Sequence, residues 1–329
     1  MYLNLIKSLK NSYDGELRNM SKIKDSVWSI FKQGVKLYFT NFGSFFKYMA
    51  FPVFGQILGI ILILTASYFY AVNLPKIIVP GGIFDNFSMI FLVLFIIILP
   101  GGIVLIKAFW DYLVAYSAVN SMLENMLKSG RVYDFHAHNE VITRRSGSYG
   151  VLWLLLAIFA AIGAFPLFWV VAGILFVYFV LIFQVFAFEP DKSPIGCFKK
   201  SLIIIKGNFA RTVGLMALIG ALTYWILPDL IKFLFETINI IGFLAIPLDA
   251  WTSQLPIIQM NKLLLQTPTA YQLTSLLIAK SIITFFLSYI ITSLTLPLRV
   301  ICWGLWYKNL NKGEVKLDKR ILDRAEAKD

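Results

Sequence analysis

The sequence predicts an all-α fold: a polytopic membrane helical bundle of about six transmembrane helices in two similar halves, each led by a basic amphipathic interfacial helix. Three observations predict it. The chain is 58% hydrophobic, 16% aromatic and only 15% charged, with a mean hydropathy of +0.74. A soluble core could not hide that much apolar surface, so lipid must be the solvent for much of it. The charges, net +12, gather in short basic segments between long apolar runs. Finally, the chain repeats. A displacement of 167 residues sets Phe198-Lys199-x-Ser201 over Phe31-Lys32-x-Gly34, and Asn208-Phe209 over Asn41-Phe42, without a gap. The expected layout is a cytoplasmic segment 1–22, one integral membrane domain 23–310 with repeat halves at about 23–135 and 190–310, and a charged cytoplasmic tail 311–329.

Met1-Tyr-Leu-Asn-Leu-Ile is too short, and too broken by Lys7, Lys10 and Asp14, to read as a signal peptide. The first basic helix follows whether Met1 or Met20 is the start. From Ile23 onward Val27, Ile30, Phe31, Val35, Tyr38, Phe39 and Phe42 recur at helical spacing, with Lys24, Lys32 and Lys36 between them. That is the pattern of a helix lying in the headgroup layer, the alternative being an amphipathic helix packed on a neighbouring protein surface. A first span follows over about 43–70, long enough to cross a hydrocarbon core of about 30 Å. Pro52 and Gly55 lie inside it. The second span begins near Ser88 and carries Pro100-Gly101-Gly102, which predicts a kink or a break into two pieces. It resumes through 103–118 and runs into water as far as Leu127. Lys107 and Asp111 sit four residues apart on one face of it. A charge in lipid is costly, so they are expected to pair, turned toward the bundle. Two readings apply: an intramembrane site for an ion or headgroup, or a neutralising pair with Lys107 snorkelling to the interface.

Residues 128–150 are polar and read as a solvated loop. His136 and His138 with two nearby carboxylates raise the question of zinc, but the spacing matches no established motif and no metal site is expected. Arg144 and Arg145, just before the next apolar run, read as headgroup anchors. That run, 151–188, is free of charge. As one helix its 38 residues would reach about 57 Å, nearly two bilayer cores. A hairpin turning near Gly163-Ala164-Phe165-Pro166 gives spans three and four. The chain leaves at Glu189-Pro190-Asp191, and the second basic stretch follows with Lys199, Lys200, Lys206 and Arg211. Span five covers 209–227 and is closed by Pro228. Beyond it, Asp229, Lys232 and Glu236 share one face of an amphipathic helix. Trp251, Pro247 and Pro256 suggest an interfacial loop, with a re-entrant segment as the alternative. Span six covers about 273–298, and Arg299, Trp303, Trp306, Tyr307 and Lys308 after it read as an interfacial belt.

Six spans place both termini on one side. Lys and Arg crowd the N-terminal segment, the 128–145 loop, the 192–211 stretch and the tail, while the opposite loops carry little beyond Lys76, Lys232 and Lys262. The positive-inside rule puts both termini in the cytoplasm, and the cytoplasmic (inner) membrane of a bacterium is the expected location. Anionic phospholipid headgroups are the natural counter-charge, engaged by Lys32, Lys36, Arg144, Arg145, Lys199, Lys200, Lys206 and Arg211. Nucleic acid is not an expected partner, since no recognised binding pattern is present.

Spans four and five, GILFVYFVLIFQVFAFEPDKSPIGCFKKSLIIIKGNFARTVGL, resemble the membrane domain attached to some bacterial glycerophosphodiester phosphodiesterases, and the related uncharacterised YciC-like membrane proteins. The shared pattern is a span ending at a Glu, a helix with a Ser, then a Lys-Gly-Asn-aromatic step into a new span: here Glu189, Ser201 and Lys206-Gly207-Asn208-Phe209. The exit is similar to the family's Pro-Leu…Tyr-x-x-Leu-x-x-x-Glu ending, at Pro297, Tyr307, Leu310 and Glu314. Val171-Ala172-Gly173 stands where the family commonly has Pro-Gly. The resemblance covers most of 28–318 and implies the membrane part without the phosphodiesterase barrel, which takes about 250 residues.

Two His in one loop, two Cys far apart and no phosphate-binding glycine loop predict no enzymatic activity and no cofactor. Cys197 and Cys302 both fall on the cytoplasmic side, where thiols stay reduced. Ser201 reads as a small residue for close packing. The functional expectation is a non-catalytic membrane scaffold or accessory protein that engages anionic headgroups, with a membrane or cytoplasmic protein as a further partner. The alternative is a transporter or carrier of a lipid-related or small solute, suggested by the duplicated halves, the Pro/Gly breaks and the Lys107–Asp111 pair.

Overall fold

The computed structural model describes residues 25–77, 82, 86–132, 135–255, 257–264 and 272–311. Most of the described residues are helical, with no strand among them. The first half of the chain forms α1 (Val27–Thr40), α2 (Phe42–Ile77), α3 (Phe87–Ser129), α4 (Phe135–Thr143) and α5 (Ser146–Gly163). A short turn of tighter helix, Pro166–Phe168, leads to α6 (Trp169–Phe179), α7 (Ile182–Phe188) and α8 (Pro194–Ile205). Then come α9 (Phe209–Gly220), α10 (Leu227–Thr237), α11 (Ile240–Thr252), α12 (Ile257–Leu264), α13 (Ser275–Leu294) and α14 (Leu296–Leu310). Among the described residues six helical stretches are long and apolar enough to cross a membrane: Phe42–Leu74, Ser88–Ser129, Ser146–Gly163, Pro166–Phe188, Phe209–Thr237 and Ser275–Leu310. The protein is a multi-pass membrane protein of all-α class. Its residues cluster into two compact units.

One unit comprises the chain up to Phe45, Leu113–Ile219 and the chain from Pro297. Its core is built from the end of α3, the whole of α7 and most of α14. Ala115, Ala118, Val119, Met122 and Leu123 of α3 are fully buried, as are Val185 and Phe186 of α7 and Val300, Ile301 and Trp306 of α14. Small residues let the backbones close up. A β-carbon on Gly304 would lie 2.6 Å from Leu123 Cδ2. Around Phe183 the rings of Tyr116 and Trp153 stand 4.8 and 4.5 Å away, and Tyr149 packs on Phe186 at 5.3 Å. Such pairs add to what their buried area contributes.

This core overturns two expectations. Trp303, Trp306 and Tyr307 are not an interfacial belt: all three are buried. Each polar atom of the last two finds a protein partner, with the Trp306 indole donating to Thr212 Oγ1 at 3.1 Å and the Tyr307 hydroxyl to Glu189 Oε1 at 2.5 Å. That is the condition under which Trp and Tyr tolerate burial. Nor is 128–150 a solvated loop. It forms α4, which buries Ala137, His138 and Ile142. Asn125 Nδ2 lies 3.2 Å from His138 Nε2, and Ser121 Oγ lies 2.7 Å from Nδ1.

The other unit comprises Phe46–Tyr112 and Gly220–Leu296. Helices α2 and α3 cross here at backbone contact. A β-carbon on Gly59 would meet the Leu105 backbone nitrogen at 2.8 Å, one on Gly101 the Ile63 nitrogen at 2.9 Å, and one on Gly55 the Ala108 side chain at 2.9 Å. Gly55-x-x-x-Gly59 is the small-residue spacing by which membrane helices approach. Pro100-Gly101-Gly102 therefore does not break α3, which runs unbroken for 43 residues. The glycine serves packing. Pro228 likewise fails to close span five. Residues Ala221–Ile226 widen into a π-turn, with the Leu227 amide bonding Leu222 O five residues back. The wider turn relieves the clash a proline ring makes with the preceding turn, so the helix continues to Thr237. Asp229, Lys232 and Glu236 thus belong to the end of this span, not to a separate interfacial helix. The described residues after it form α11 and α12, with α11 tied to the start of α13 by Thr252 Oγ1 donating to Ser275 O at 2.9 Å; Pro256 lies outside the described residues.

Candidate headgroup-binding surface

All eight cations expected to meet headgroups lie in the first unit, on or beside α1, α4, α8 and α9. Two of these helices are built alike. Ser26 caps α1, its side chain accepting the Ser29 amide at 3.1 Å, and Ser193 caps α8, accepting the Gly196 amide at 3.2 Å. Ser193 is Ser26 displaced by the same 167 residues. Each helix buries one stripe: Ile30, Gly34 and Tyr38 in α1, and the register equivalents Cys197, Ser201 and Ile205 in α8. Each is followed by an asparagine whose side chain turns back on the helix, Asn41 Nδ2 to Leu37 O at 3.0 Å and Asn208 Nδ2 to Ile204 O at 3.5 Å.

With those faces turned inward, Lys32 and Lys36 of α1 and Lys199 of α8 are exposed, as is Lys206 just after it. Lys32 and Lys199 are register equivalents. Lys32 Nζ stands 5.3 Å over the Trp28 ring, a weak cation–π contact at an exposed site. Among the described residues no ion pair engages Lys32, Lys36, Lys199 or Lys206.

The other four cations are committed. Arg145 donates to Phe186 O at 2.7 Å and Lys192 O at 3.4 Å, with its guanidinium stacked 3.9 Å from the Phe186 ring. It clamps the turn after α7 instead of facing outward as a headgroup anchor. Burial pulls its pKa below the usual arginine range, an effect opposed by the negative groups near it, including Asp191. Arg144 pairs with Glu140 at 2.5 Å. Arg211 donates to Asp25 O at 2.6 Å and lies 5.1 Å over the Trp306 ring. Lys200 stands 3.7 Å from Glu189.

Searches of protein-family models, curated proteins and solved structures match nothing to the chain.

Two polar clusters, around Glu189 and around Glu124, escaped sequence reasoning. Glu189 accepts from Tyr307 at 2.5 Å and from Asn311 at 3.4 Å, with Lys200 and Lys192 beside it, while Lys308 pairs with Glu124 at 2.5 Å. In the sequence Glu189 and Tyr307 stood out separately, as the exit of a span and as part of an aromatic run. Nothing in local spacing joins residues so far apart in the chain. Ser201 is more than a small packing residue. Buried, it donates to Tyr178 O at 2.7 Å and accepts the Leu181 amide at 3.3 Å, stitching the break between α6 and α7.

In the second unit Lys107 Nζ meets both Asp111 oxygens, at 2.5 and 2.6 Å. The pair forms as expected, but it is not turned inward: the Lys107 side chain is 61% exposed. Among the described residues no group of three or more His, Cys, Asp or Glu is placed to hold a metal. Both cysteines are buried and unbridged. Burial pushes the Cys197 thiol up to about 11, so it stays protonated and unreactive at neutral pH. Tyr38 is likewise pushed up to about 12 by burial, against the opposing charge of Arg299.

Proposed function

We propose that this protein is a non-catalytic scaffold of a bacterial cytoplasmic membrane, with both termini in the cytoplasm, that engages anionic phospholipid headgroups. The carrying observation is the matched pair of helices. Capping and burial orient α1 and α8 alike, so that Lys32 and Lys36 on one, and Lys199 and Lys206 on the other, are left exposed and outside the ion pairs of the described residues. A cation near an anionic surface contributes about 1 kcal/mol. Four together contribute about 4 kcal/mol at most, enough to hold a headgroup layer without a carved pocket. The resemblance to the phosphodiesterase-associated membrane domain is compatible with a role in the membrane. A membrane or cytoplasmic protein partner belongs to this proposal as the thing a scaffold would hold. The carrier alternative has less support. Pro100-Gly101-Gly102 sits within a continuous helix, and Lys107 faces outward.

Native mass spectrometry of the detergent-purified protein tests the reading. Selective retention of an anionic phospholipid is expected, and loss of it in a Lys32/Lys36/Lys199/Lys206→Gln variant. Unselective retention, or retention unchanged in the variant, sinks the proposal.

A further inference from the structure

The second unit contains a cavity of about 900 Å³ between α2, α11 and α13. Its size falls within the range of small-molecule and cofactor sites. Among the described residues no charged side chain lines it. Helices α2 and α13 run antiparallel along it, with the Tyr289 hydroxyl donating to Gln56 Oε1 at 2.5 Å on one side. Tyr68 of α2 and Leu277 of α13 line the opposite end, and Ile61 and Phe285 line the end nearer that bond. The two ends differ in chemistry. At the first, the Tyr68 hydroxyl donates to Gln254 Oε1 and the Tyr68 ring stands 6.5 Å from Trp251. Tyr and Trp with a polar tip mark the headgroup level of a bilayer. At the second, Ile61, Phe285 and Phe286 offer only hydrocarbon. Leu277 to Phe285 covers about 12 Å of helix rise, the depth of the apolar part.

We propose that this cavity binds one lipid hydrocarbon chain, with an uncharged hydrogen-bonding group, such as an ester or a hydroxyl, at the Tyr68–Gln254 end. Two of the three walls, α2 and α13, lie in stretches long and apolar enough to span a membrane, so the molecules able to enter from the side are lipids. An ionic or strongly polar ligand would be desolvated there without a counter-charge or a set of donors. The graded lining, polar at one end and hydrocarbon at the other, matches a single amphipathic chain in one orientation. Thr65 and Ser281, partway along, are small enough to leave the bore open. This inference does not rest on the cytoplasmic cations.

The test is photo-crosslinking in liposomes, using the full-length protein and a phosphatidylcholine with a diazirine near the end of one acyl chain. Peptide mass spectrometry then locates the adducts. They are expected to concentrate on the Ile61–Phe69 and Leu277–Phe286 segments, at least several-fold above those on Phe91 and Phe95, which face outward on α3. Ser281→Trp, which fills the bore, removes the cavity adducts and leaves the α3 adducts unchanged; Thr65→Trp serves if the first variant unfolds. The Lys→Gln variant above keeps the cavity adducts, so failure of the headgroup reading is distinguishable. Cavity labelling no stronger than α3 labelling overturns the proposal. So does labelling that persists in a filled variant whose melting matches the parent.

Discussion

Helices α1 and α8 are two solutions to one local problem, and their differences are more informative than their likeness. Both begin at a serine cap, bury a stripe at helical spacing, and are followed by an asparagine that bonds its own helix. They part at the centre of the buried stripe. Position 34 is glycine, because the Cys302 side chain occupies the space a β-carbon would take. Position 201 is serine, because the α6–α7 break beside it offers a carbonyl and an amide that need partners. They part again at the exit. Thr40 ends α1 in ordinary geometry one residue before α2, whereas Gly207 takes φ of 81°, a left-handed turn that favours glycine. An identical amphipathic pattern is thus kept where the helix meets its surroundings in a generic way, and changed where a particular neighbour intrudes.

The largest effect is expected where space is tightest. Gly34→Ala places a methyl against Cys302 Sγ, and Cys302 is fully buried, so the sulfur has nowhere to move. Overpacking of this kind costs about 3 kcal/mol. Cys302→Ala alone leaves a small cavity and costs about 1 kcal/mol. The double variant removes the overlap, and its loss should be smaller than that of Gly34→Ala alone. A double-mutant cycle by denaturant unfolding in detergent measures the coupling. Strict additivity would show that α1 meets α14 less closely than the structure places it.

A smaller loss is expected at the equivalent position of the second copy. Ser201→Ala fits without strain but strands the Leu181 amide and the Tyr178 carbonyl in a buried site. Unsatisfied groups cost about 1–3 kcal/mol together. Ser201→Gly should lose at least as much, with added helix entropy, even though glycine is what the first copy uses. A Ser201→Gly variant as stable as the parent would mean that the two copies are interchangeable there.

The repeat was legible before the structure because it lies in periodicity and residue type, which are local properties. Helical spacing placed Ile30 and Tyr38 on one face and Lys32 and Lys36 on another. Continuity of helices was not legible. Whether Pro100 or Pro228 stops a helix depends on what lies beside it: a close-packed Ile63 and Leu105 in one case, a π-turn in the other. The aromatic run at 303–307 failed for a related reason. Trp, Tyr and Lys in succession look the same in an interfacial belt and in a core that supplies Thr212 and Glu189 as partners. Among the site residues, the sequence singled out the cations but could not say which were spent. Arg145 and Arg211 are bound to backbone carbonyls distant in the chain, Arg144 and Lys200 are paired with carboxylates, and Lys32, Lys36, Lys199 and Lys206 are the site cations left clear of both kinds of bond among the described residues.

The caps give the smallest effect and the finest comparison. Ser26→Ala and Ser193→Ala each remove a cap worth about 1 kcal/mol, so global stability should fall about equally in both. The local consequences should differ. Asp25, just before the first cap, is tied three ways: its amide to Asn309 Oδ1 at 2.9 Å, and its carbonyl to Asn309 Nδ2 at 3.2 Å and Arg211 at 2.6 Å. The second cap is followed by Pro194, whose fixed φ holds the first turn without outside help. Fraying of α1 therefore releases Arg211 and the end of α14, while fraying of α8 stays within its own first turn. Hydrogen exchange should show Ser26→Ala raising rates both at Ser29 and around Asn309, and Ser193→Ala raising them only near Gly196. Matching, purely local changes in the two variants would mean that the Asp25 tether contributes nothing, and that the two copies start as independently as they are alike.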